Sequence, residues 1–152
     1  MRANRKAETR PEVEFRSALH RRGLRFRKNH LIVLDTVRVR PDVVFTRARL
    51  AIFVDGCFWH RCPAHGTQPR SNIPYWGPKL ARNVERDRLV DAALSAGGWY
   101  ALRVWEHDLA SLEVVSDRVA DAVVSRGVTG FELGSRRSSE SKGPGRNPES
   151  GQ

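Results

Sequence analysis

The sequence predicts a single α/β domain in which helices pack against a mixed β-sheet. Two observations support this prediction. The chain has 152 residues, about one domain's worth, and no internal repeat is visible in it. After a first helical segment, apolar runs of strand length come first, followed by a helix, a further strand and a last helix.

The first element is a helix that begins at Thr9 and ends near Gly23. Thr9 can cap this helix, Glu12 stands in capping-box spacing, and an apolar stripe begins at Phe15. Three apolar runs then predict strands at residues 31–34, 42–45 and 50–54, with a turn between the last two at residues 46–49.

The second half of the chain begins with a segment rich in Pro, Asn and Gly, residues 68–78, which predicts a long functional loop. A helix over residues 79–96, a strand over 99–105 and an amphipathic helix over 109–124 follow. The predicted organisation is a basic arm at residues 1–10, one domain at 11–134 and a tail at 135–152. The tail is rich in Ser, Gly and Pro, and we expect it to be disordered.

Positive charge is concentrated near the N-terminus of a chain whose formal net charge is +10. Residues 1–28 hold ten Lys or Arg against three glutamates, whereas residues 29–134 are nearly neutral. This distribution favours a polyanionic partner, because neutralising phosphates releases counterions. The alternative is a solvated helix face whose charge serves solubility.

Apolar segments and cysteines limit the class of protein. The longest apolar run, residues 50–54, is too short to span a membrane, and residues 1–10 lack the apolar middle of a secretion signal. We therefore expect a cytoplasmic protein with no membrane partner. Two cysteines in such a chain argue against a disulfide framework and leave metal binding or buried thiols.

The stretch FVDGCFWHRCPAH, residues 53–65, concentrates reactive side chains. Cys57, Cys62 and His65 follow a C-x4-C-x2-H spacing, which supplies three ligands for a structural zinc ion that usually takes four. His107 could complete a Cys2His2 site by folding back, and His60 is the competing ligand by sequence distance. The alternative is two buried thiols and two surface histidines.

Two further observations concern polar groups among apolar ones. Asp42 heads an apolar strand, where a carboxylate either pairs with an arginine or holds a divalent cation. Metal-dependent nucleases place Mg²⁺ on such a carboxylate and a backbone carbonyl. In the helix that follows, Asn83 and Asp87 share one face with Val90 and Leu94, unless the apolar stripe is merely offset.

Four blocks, PDVVF, VDGCFWHRC, YWGPKLARNVERD and GWYALRVWEHDL, resemble the very-short-patch mismatch-repair endonucleases, which nick DNA next to a thymine–guanine mismatch. The resemblance covers roughly residues 1–125. It implies a variant of the restriction-endonuclease fold and Mg²⁺-dependent hydrolysis of one strand of mismatched duplex DNA. The expected partners are double-stranded DNA with a T·G mismatch and other mismatch-repair proteins, and we expect a monomer.

The resemblance also assigns catalytic roles. Asp42 would bind Mg²⁺ together with the main-chain carbonyl of Val54. His60 would act as general base on the attacking water, a task that an imidazole side chain can perform at neutral pH. Glu12 and Asp87 would stand around this centre, holding waters or orienting the histidine. Glu12 has a structural alternative as the helix cap.

DNA contacts follow from the same resemblance. Phe58, Trp59 and Trp76 would form a wedge that enters the duplex beside the mismatch, where opening a step is less costly. Adjacent aromatics can instead belong to the core. The other residues expected to contact DNA are Asn83, Arg2, Arg5 and Lys6.

The chain departs from the family pattern at two points. Asp55 stands where some members have a histidine, so a second catalytic histidine is missing, and Asp55 either holds metal or has no catalytic part. Other members use more cysteines for zinc, and Cys62, His65 and His107 are inferred substitutes. The alternative functions are a zinc-stabilised DNA-binding module without catalysis and an RNA-binding or RNA-cleaving protein.

Overall fold

The structure, a computed structural model, describes residues 9–65 and 69–127. The helices are α1 (Arg10–Arg21), α2 (Ile73–Ala96) and α3 (Leu112–Ser125), with a 3-10 helix, Glu106–Ser111, directly before α3. The strands are β1 (Arg27–Lys28), β2 (Ile32–Val33), β3 (Arg38–Val39), β4 (Val43–Phe45), β5 (Leu50–Asp55) and β6 (Tyr100–Trp105). The predicted tail and nearly all of the predicted basic arm lie outside the described residues.

The main sheet is mixed and has the strand order β1-β4-β5-β6. The pairs β1–β4 and β4–β5 are antiparallel, whereas β6 runs parallel to β5 and places Trp105 opposite Asp55. The remaining strands, β2 and β3, form a separate antiparallel pair. The predicted α/β class with a mixed sheet and flanking helices is therefore confirmed.

Both faces of the sheet are covered. Side chains alternate along β5, so its residues contribute to the packing on each face. Leu50 and Ile52 belong to a core that also contains Phe15 of α1 and Val119 of α3. Ala51 points the other way and packs with the β2–β3 pair and α2. Burial on both faces explains why β5 appears in the sequence as a continuous apolar run.

Helix α2 is attached to the sheet differently from α1 and α3. Among its 24 residues, only Leu80 and Leu94 are buried. They lie fourteen positions apart, which is roughly 21 Å along the helix axis at about 1.5 Å per residue. The predicted shared face is confirmed at Leu94 and at Asp87, which lies against the loop after β5. Charged groups therefore occupy the middle of this interface.

The predicted long loop over residues 68–78 is wrong in its second half, because α2 already begins at Ile73. Asn72 at the N-cap adopts a left-handed conformation with φ 55°. Pro74 is compatible with the first turn, where its missing N–H would have no intrahelical partner. Pro78 then lies inside the helix. The density of Pro, Asn and Gly indicated a loop, but aromatic packing holds this segment as helix.

Other element boundaries also needed correction. Thr9 is the N-cap of α1, but its side chain makes no capping hydrogen bond, so the predicted capping box is wrong. The predicted last helix divides into the 3-10 helix and α3. The two-residue strands β1 and β3 were missed, since strands of this length leave no periodic pattern. None of the described helices has the length and apolar character that crossing a bilayer requires.

Candidate active site

The candidate site lies where β5 and β6 end. Parallel strands end at the same edge of a sheet, so the loop after β5 meets the residues that follow β6. Backbone hydrogen bonds fold this loop onto itself, from His60 N–H to Gly56 O at 3.2 Å and from Cys62 N–H to Cys57 O at 2.9 Å. Arg61 adopts a left-handed conformation with φ 52°, which completes the tight turn.

One group of side chains at this edge, the Cys2His2 cluster, consists of Cys57, Cys62, His65 and His107. One ligand atom from each lies within 4.8 Å of those of the others. His107 Nδ1 is 3.2 Å from Cys57 Sγ and 3.5 Å from Cys62 Sγ. In a tetrahedral zinc site, a thiolate sulfur and an imidazole nitrogen stand roughly 3.6 Å apart. The four residues predicted to share a metal therefore meet at one place, although His107 lies 45 residues after Cys62.

A carboxylate supports His107 from behind. Its Nε2 lies 3.3 Å from Asp108 Oδ1, and Asp108 Oδ2 accepts a hydrogen bond from Trp105 N–H at 3.1 Å. Histidines that bind metals commonly use their second nitrogen in this way, which fixes the ring orientation. Burial raises the pKa of the Cys57 thiol, an effect that a hydrogen bond from the His107 backbone opposes. A cation that displaces the thiol protons would be well accommodated here.

The second group consists of Asp55, His60 and Asp87, whose ligand atoms also lie within 4.8 Å of one another. His60 Nδ1 is 2.5 Å from Asp87 Oδ2, and His60 Nε2 is 3.9 Å from Asp55 Oδ1. His60 thus stands apart from the Cys2His2 cluster and is oriented by a carboxylate of α2. Its side chain is 22% exposed, so water can reach the ring.

Arg103 of β6 neutralises the charge around this group. Its Nη1 donates to both carboxylate oxygens of Asp55, at 3.1 and 3.0 Å, and its Nη2 donates to Asp91 Oδ1 at 2.7 Å. The same Nη1 lies 3.6 Å from Asp87 Oδ1, and the guanidinium stacks on Phe53 with 4.5 Å to the ring centre. One arginine therefore connects carboxylates from β5 and α2.

Asp55 and Arg103 influence each other through burial and charge. Burial raises the pKa of the Asp55 carboxyl, and the Arg103 guanidinium opposes this rise. Burial also acts to lower the pKa of Arg103, but the carboxylates of Asp91 and Asp55 outweigh it and the pKa is raised. Because Arg103 binds both oxygens of Asp55, this carboxylate is engaged in an ion pair rather than directed at a metal.

Asp42 lies beside the end of β5, at the opposite side from β6. Its Oδ2 accepts a hydrogen bond from Val54 N–H at 2.8 Å. In an extended strand the N–H and C=O of one residue point to the same side, so the Val54 carbonyl also faces the edge occupied by Asp42. The carboxylate and the carbonyl predicted to hold Mg²⁺ are thus neighbours.

Aromatic side chains cover the outer side of the loop. The rings of Phe58, Trp59 and Trp76 contact each other edge to face, with centroids 5.3 to 5.6 Å apart. Tyr75 extends this aromatic cluster, with its ring 5.0 Å from that of Trp76. Lys79 Nζ lies 5.4 Å from the ring centres of Trp59 and Trp76. Trp59 is 41% exposed, so the cluster reaches the surface.

Asn83 lies beside the aromatic cluster, whereas Glu12 lies on α1. Asn83 Nδ2 donates to the main-chain carbonyl of Trp59 at 3.3 Å, so it supports the loop that carries the aromatics. Glu12 lies in the first turn of α1 and joins neither of the two potential metal-binding groups found among the described residues. The predicted DNA contacts Arg2, Arg5 and Lys6 lie outside the described residues.

Sequence reasoning missed several residues of this site: Arg103, Asp91, Asp108, Tyr75 and Lys79. Asp108 follows His107 directly, which is a usable signal for a carboxylate that orients a metal-binding imidazole. Asp91 lies four residues after Asp87 and therefore on the same helix face. Arg103 gave no such signal, because its partners lie 12 and 48 residues away.

The sequence of this chain is similar to those of known DNA endonucleases. The family model for the DNA mismatch endonuclease Vsr matches residues 1–65. The type II nicking enzyme V.NaeI of Lentzea aerocolonigenes is 54% identical over 124 residues, covering 81% of this chain and 72% of that protein. V.XorIIP of Xanthomonas oryzae pv. oryzae is 41% identical, with 76% and 82% covered.

The DNA mismatch endonuclease Vsr of Escherichia coli K12 is 36% identical over 118 residues, covering 77% of this chain and 73% of that protein. The resemblance found in the sequence motifs is therefore confirmed over most of the described domain. This chain is a DNA endonuclease that belongs to the Vsr family of DNA mismatch endonucleases.

Proposed function

We propose that this endonuclease nicks one DNA strand beside a T·G mismatch in very-short-patch repair, with Mg²⁺ at Asp42 and His60 as the general base. The observation that carries the proposal is the 2.5 Å contact between His60 Nδ1 and Asp87 Oδ2. Val54, which binds Asp42, directly precedes Asp55, and Asp55 lies 3.9 Å from His60 Nε2. The base and the proposed metal edge are therefore neighbours. Membership of the family and the mixed sheet favour a variant of the restriction-endonuclease fold.

His60 is set up as a proton acceptor. A neutral imidazole donates through one nitrogen and accepts through the other. When Nδ1–H donates to Asp87, the lone pair lies on Nε2, which faces away from α2 and towards the edge of the sheet. A base oriented by a carboxylate in this way is the general arrangement of nucleophile activation. Here the nucleophile would be water, and His60 would take its proton.

The residues at the end of β5 fit Mg²⁺. The Asp42 carboxylate and the Val54 carbonyl are hard oxygen donors on one side of the strand, which is the ligand type that Mg²⁺ prefers. Bound there, Mg²⁺ would supply stabilisation of the negative charge that develops on the scissile phosphate. Glu12 is proposed to assist from the first turn of α1.

The Cys2His2 cluster fits Zn²⁺ in a structural role. Two thiols and two imidazoles provide the four donors of a closed tetrahedral site. Three donors come from the loop after β5, and the fourth, His107, lies in the 3-10 helix. The site would therefore fix the loop that carries His60 and the aromatic residues.

The aromatic cluster is proposed as the DNA wedge. Phe58, Trp59 and Trp76 support one another through edge contacts, and the exposed Trp59 presents an apolar edge to a partner. Insertion into a duplex costs unstacking energy, and a mispaired step reduces this cost. Asn83 would act on DNA through the wedge, because it holds the Trp59 main chain. Arg2, Arg5 and Lys6 are proposed to bind phosphates.

The test is nicking of a labelled duplex that carries a single T·G mismatch, with Mg²⁺ or with EDTA. The wild type should nick only with Mg²⁺. Asp42→Ala and His60→Ala should each lose at least about 100-fold in rate, the lower range for general base catalysis. The matched controls are Asp35→Ala and His30→Ala, which should both nick like the wild type. Asp35 is an exposed residue between β2 and β3.

The opposite result is equally clear. If the wild type binds mismatched duplex tightly but nicks it in none of several flanking sequences, the proposed reaction on this substrate is wrong. A zinc-stabilised DNA-binding module would then be the better description. Titration with matched duplex and with single strands would identify what such a module prefers.

A further inference from the structure

We propose that Arg103 is a positioning residue for the reaction: it holds α2 against β5 so that Asp87 keeps His60 in its working orientation. The inference rests on the proposed role of His60 as the base. It adds a residue that acts through two others and touches neither the water nor the phosphate.

Arg103 contacts carboxylates on two different elements. A guanidinium presents five N–H groups in a fixed plane, and here they are divided among three carboxylates. Asp55, buried to 3% exposure at the end of β5, receives two contacts from Nη1. Asp91 receives contacts from Nη2 at 2.7 Å and from Nε at 3.3 Å, and Asp87 lies within 3.6 Å. Phe53 supports the guanidinium plane from below.

The contacts of Arg103 with α2 lie between the two buried residues of this helix. These are Leu80 and Leu94. Asp87 lies midway between them, seven residues from each, which is roughly 10 Å along the axis. The partly buried Val90 also packs against the core, so apolar contacts set which face of α2 meets the sheet. Arg103 contacts Asp87 and Asp91 on successive turns and fixes the position of these carboxylates relative to β5.

Asp87 lies between Arg103 and the proposed base, His60. Its Oδ2 is bonded to His60 Nδ1, while its Oδ1 faces Arg103 Nη1. The carboxylate is thus held on both sides and cannot turn away from the imidazole without losing the ion pair. A displacement of about 1 Å in a catalytic group can cost roughly 100-fold in rate. Arg103 therefore supplies the orientation that the buried sheet edge alone does not.

The same contacts argue against a second metal site at Asp55, His60 and Asp87. These three residues have a suitable spacing for a cation. However, Arg103 binds both oxygens of Asp55, so a cation would have to displace a guanidinium from a carboxylate with a side chain that is only 5% exposed. The arrangement favours a fixed ion-pair network.

The test is Arg103→Lys, which keeps the positive charge and removes the fork. A single ammonium cannot contact Asp55, Asp87 and Asp91 at once, so Asp87 should lose its fixed position beside His60. We expect kcat for nicking to fall at least about 10-fold, whereas KM and the Kd for mismatched duplex stay within about 2-fold. The ¹⁵N signals of the His60 ring should move, because they report the hydrogen bond from Nδ1.

Arg22→Lys is the matched control. Arg22 forms ion pairs with Glu113 and Asp117, two carboxylates one turn apart on α3, as Arg103 does with two carboxylates of α2. The substitution makes the same chemical change away from the site, and nicking should be unchanged. The second test variant is Asp91→Asn, which weakens only the grip on α2 and whose side chain is 41% exposed, so folding should be retained. It should lower kcat about 3-fold with KM unchanged.

Several outcomes would overturn the inference. One is an unchanged kcat in both Arg103→Lys and Asp91→Asn. Another is a parallel loss of DNA binding and kcat, because such a loss indicates a general structural role. If Arg103→Lys does not fold, Asp91→Asn decides. If the wild type nicks no mismatched duplex, the proposed function fails separately. The His60 signals then decide the positioning claim, since unchanged signals in Arg103→Lys would refute it.

Discussion

The stability of the Asp55–Arg103 pair provides a quantitative prediction. Both side chains are largely buried, 5% and 19% exposed, with contacts of 3.0 and 3.1 Å. Arg103→Met would leave the Asp55 carboxylate without its partner beside two further carboxylates. Removal of one member of a buried pair costs about 3–5 kcal/mol, and the neighbouring negative charges place this case towards the upper value.

The charge-balanced variant Asp55→Asn/Arg103→Met should cost much less. Replacement of both members leaves a buried amide, but no buried charge, and we expect a loss of about 1–2 kcal/mol. Because the coupling energy is the sum of the two single losses minus the loss of the double variant, it should be at least about 2 kcal/mol between the two positions. Asp87 and Asp91 tolerate the loss of Arg103 better, because their side chains are 21% and 41% exposed.

The assay is urea unfolding at neutral pH, with the free energy of unfolding compared among the wild type, the two single variants and the double variant. The slope of the free energy against urea must stay constant for the comparison to hold. Arg22→Met is the control, and its loss should be a small part of that of Arg103→Met, because its partners on α3 are mostly exposed. A loss below about 1 kcal/mol in Arg103→Met, or additive single losses, would refute the reasoning.

Three other predictions follow from separate parts of the molecule. Cys62→Ser should lower bound zinc from about one equivalent to below about 0.1, measured by elemental analysis, because a closed site needs all four donors; full zinc content in the variant would show that Cys62 is no ligand. Trp59→Ala should weaken binding of mismatched duplex by about 1–3 kcal/mol, measured by fluorescence anisotropy, whereas Tyr100→Ala, another exposed aromatic, should not; equal effects would contradict the wedge. Ser116 is fully buried, and its hydroxyl has no hydrogen-bond partner among the described residues, so Ser116→Ala should raise the free energy of unfolding by about 1 kcal/mol, and a loss in urea unfolding would contradict this expectation.

The fold could be predicted where burial leaves a recognisable apolar pattern in the sequence. β5 was found almost completely, because burial on both faces gives a continuous apolar run. The start of α2 was missed, since Pro74, Gly77 and Pro78 indicate a loop when only local preferences are considered. Packing of Tyr75 and Trp76 against other rings stabilises this turn of helix, and such contacts are not visible in the segment alone.

The site could be predicted in part. Cys57, Cys62 and His65 lie close in sequence, and their residue types suggested a shared metal, which the geometry of their ligand atoms favours. The choice between His60 and His107 as fourth ligand needed tertiary structure. The neighbouring positions of Asp42 and Val54 followed from resemblance, because antiparallel pairing joins residues twelve positions apart. Arg103 looked like an ordinary polar position in an alternating strand.

The distribution of the Cys2His2 cluster over two distant segments also sets the order in which its members are synthesised. The loop with His60 and the aromatic cluster leaves the ribosome well before His107, which follows it by 47 residues in sequence. The four side chains of the Cys2His2 cluster cannot meet until β6 has paired with β5 and brought His107 beside the two thiols. A nascent or truncated chain that ends before β6 would carry the proposed base and wedge but lack His107, so under the proposed function it should not nick DNA.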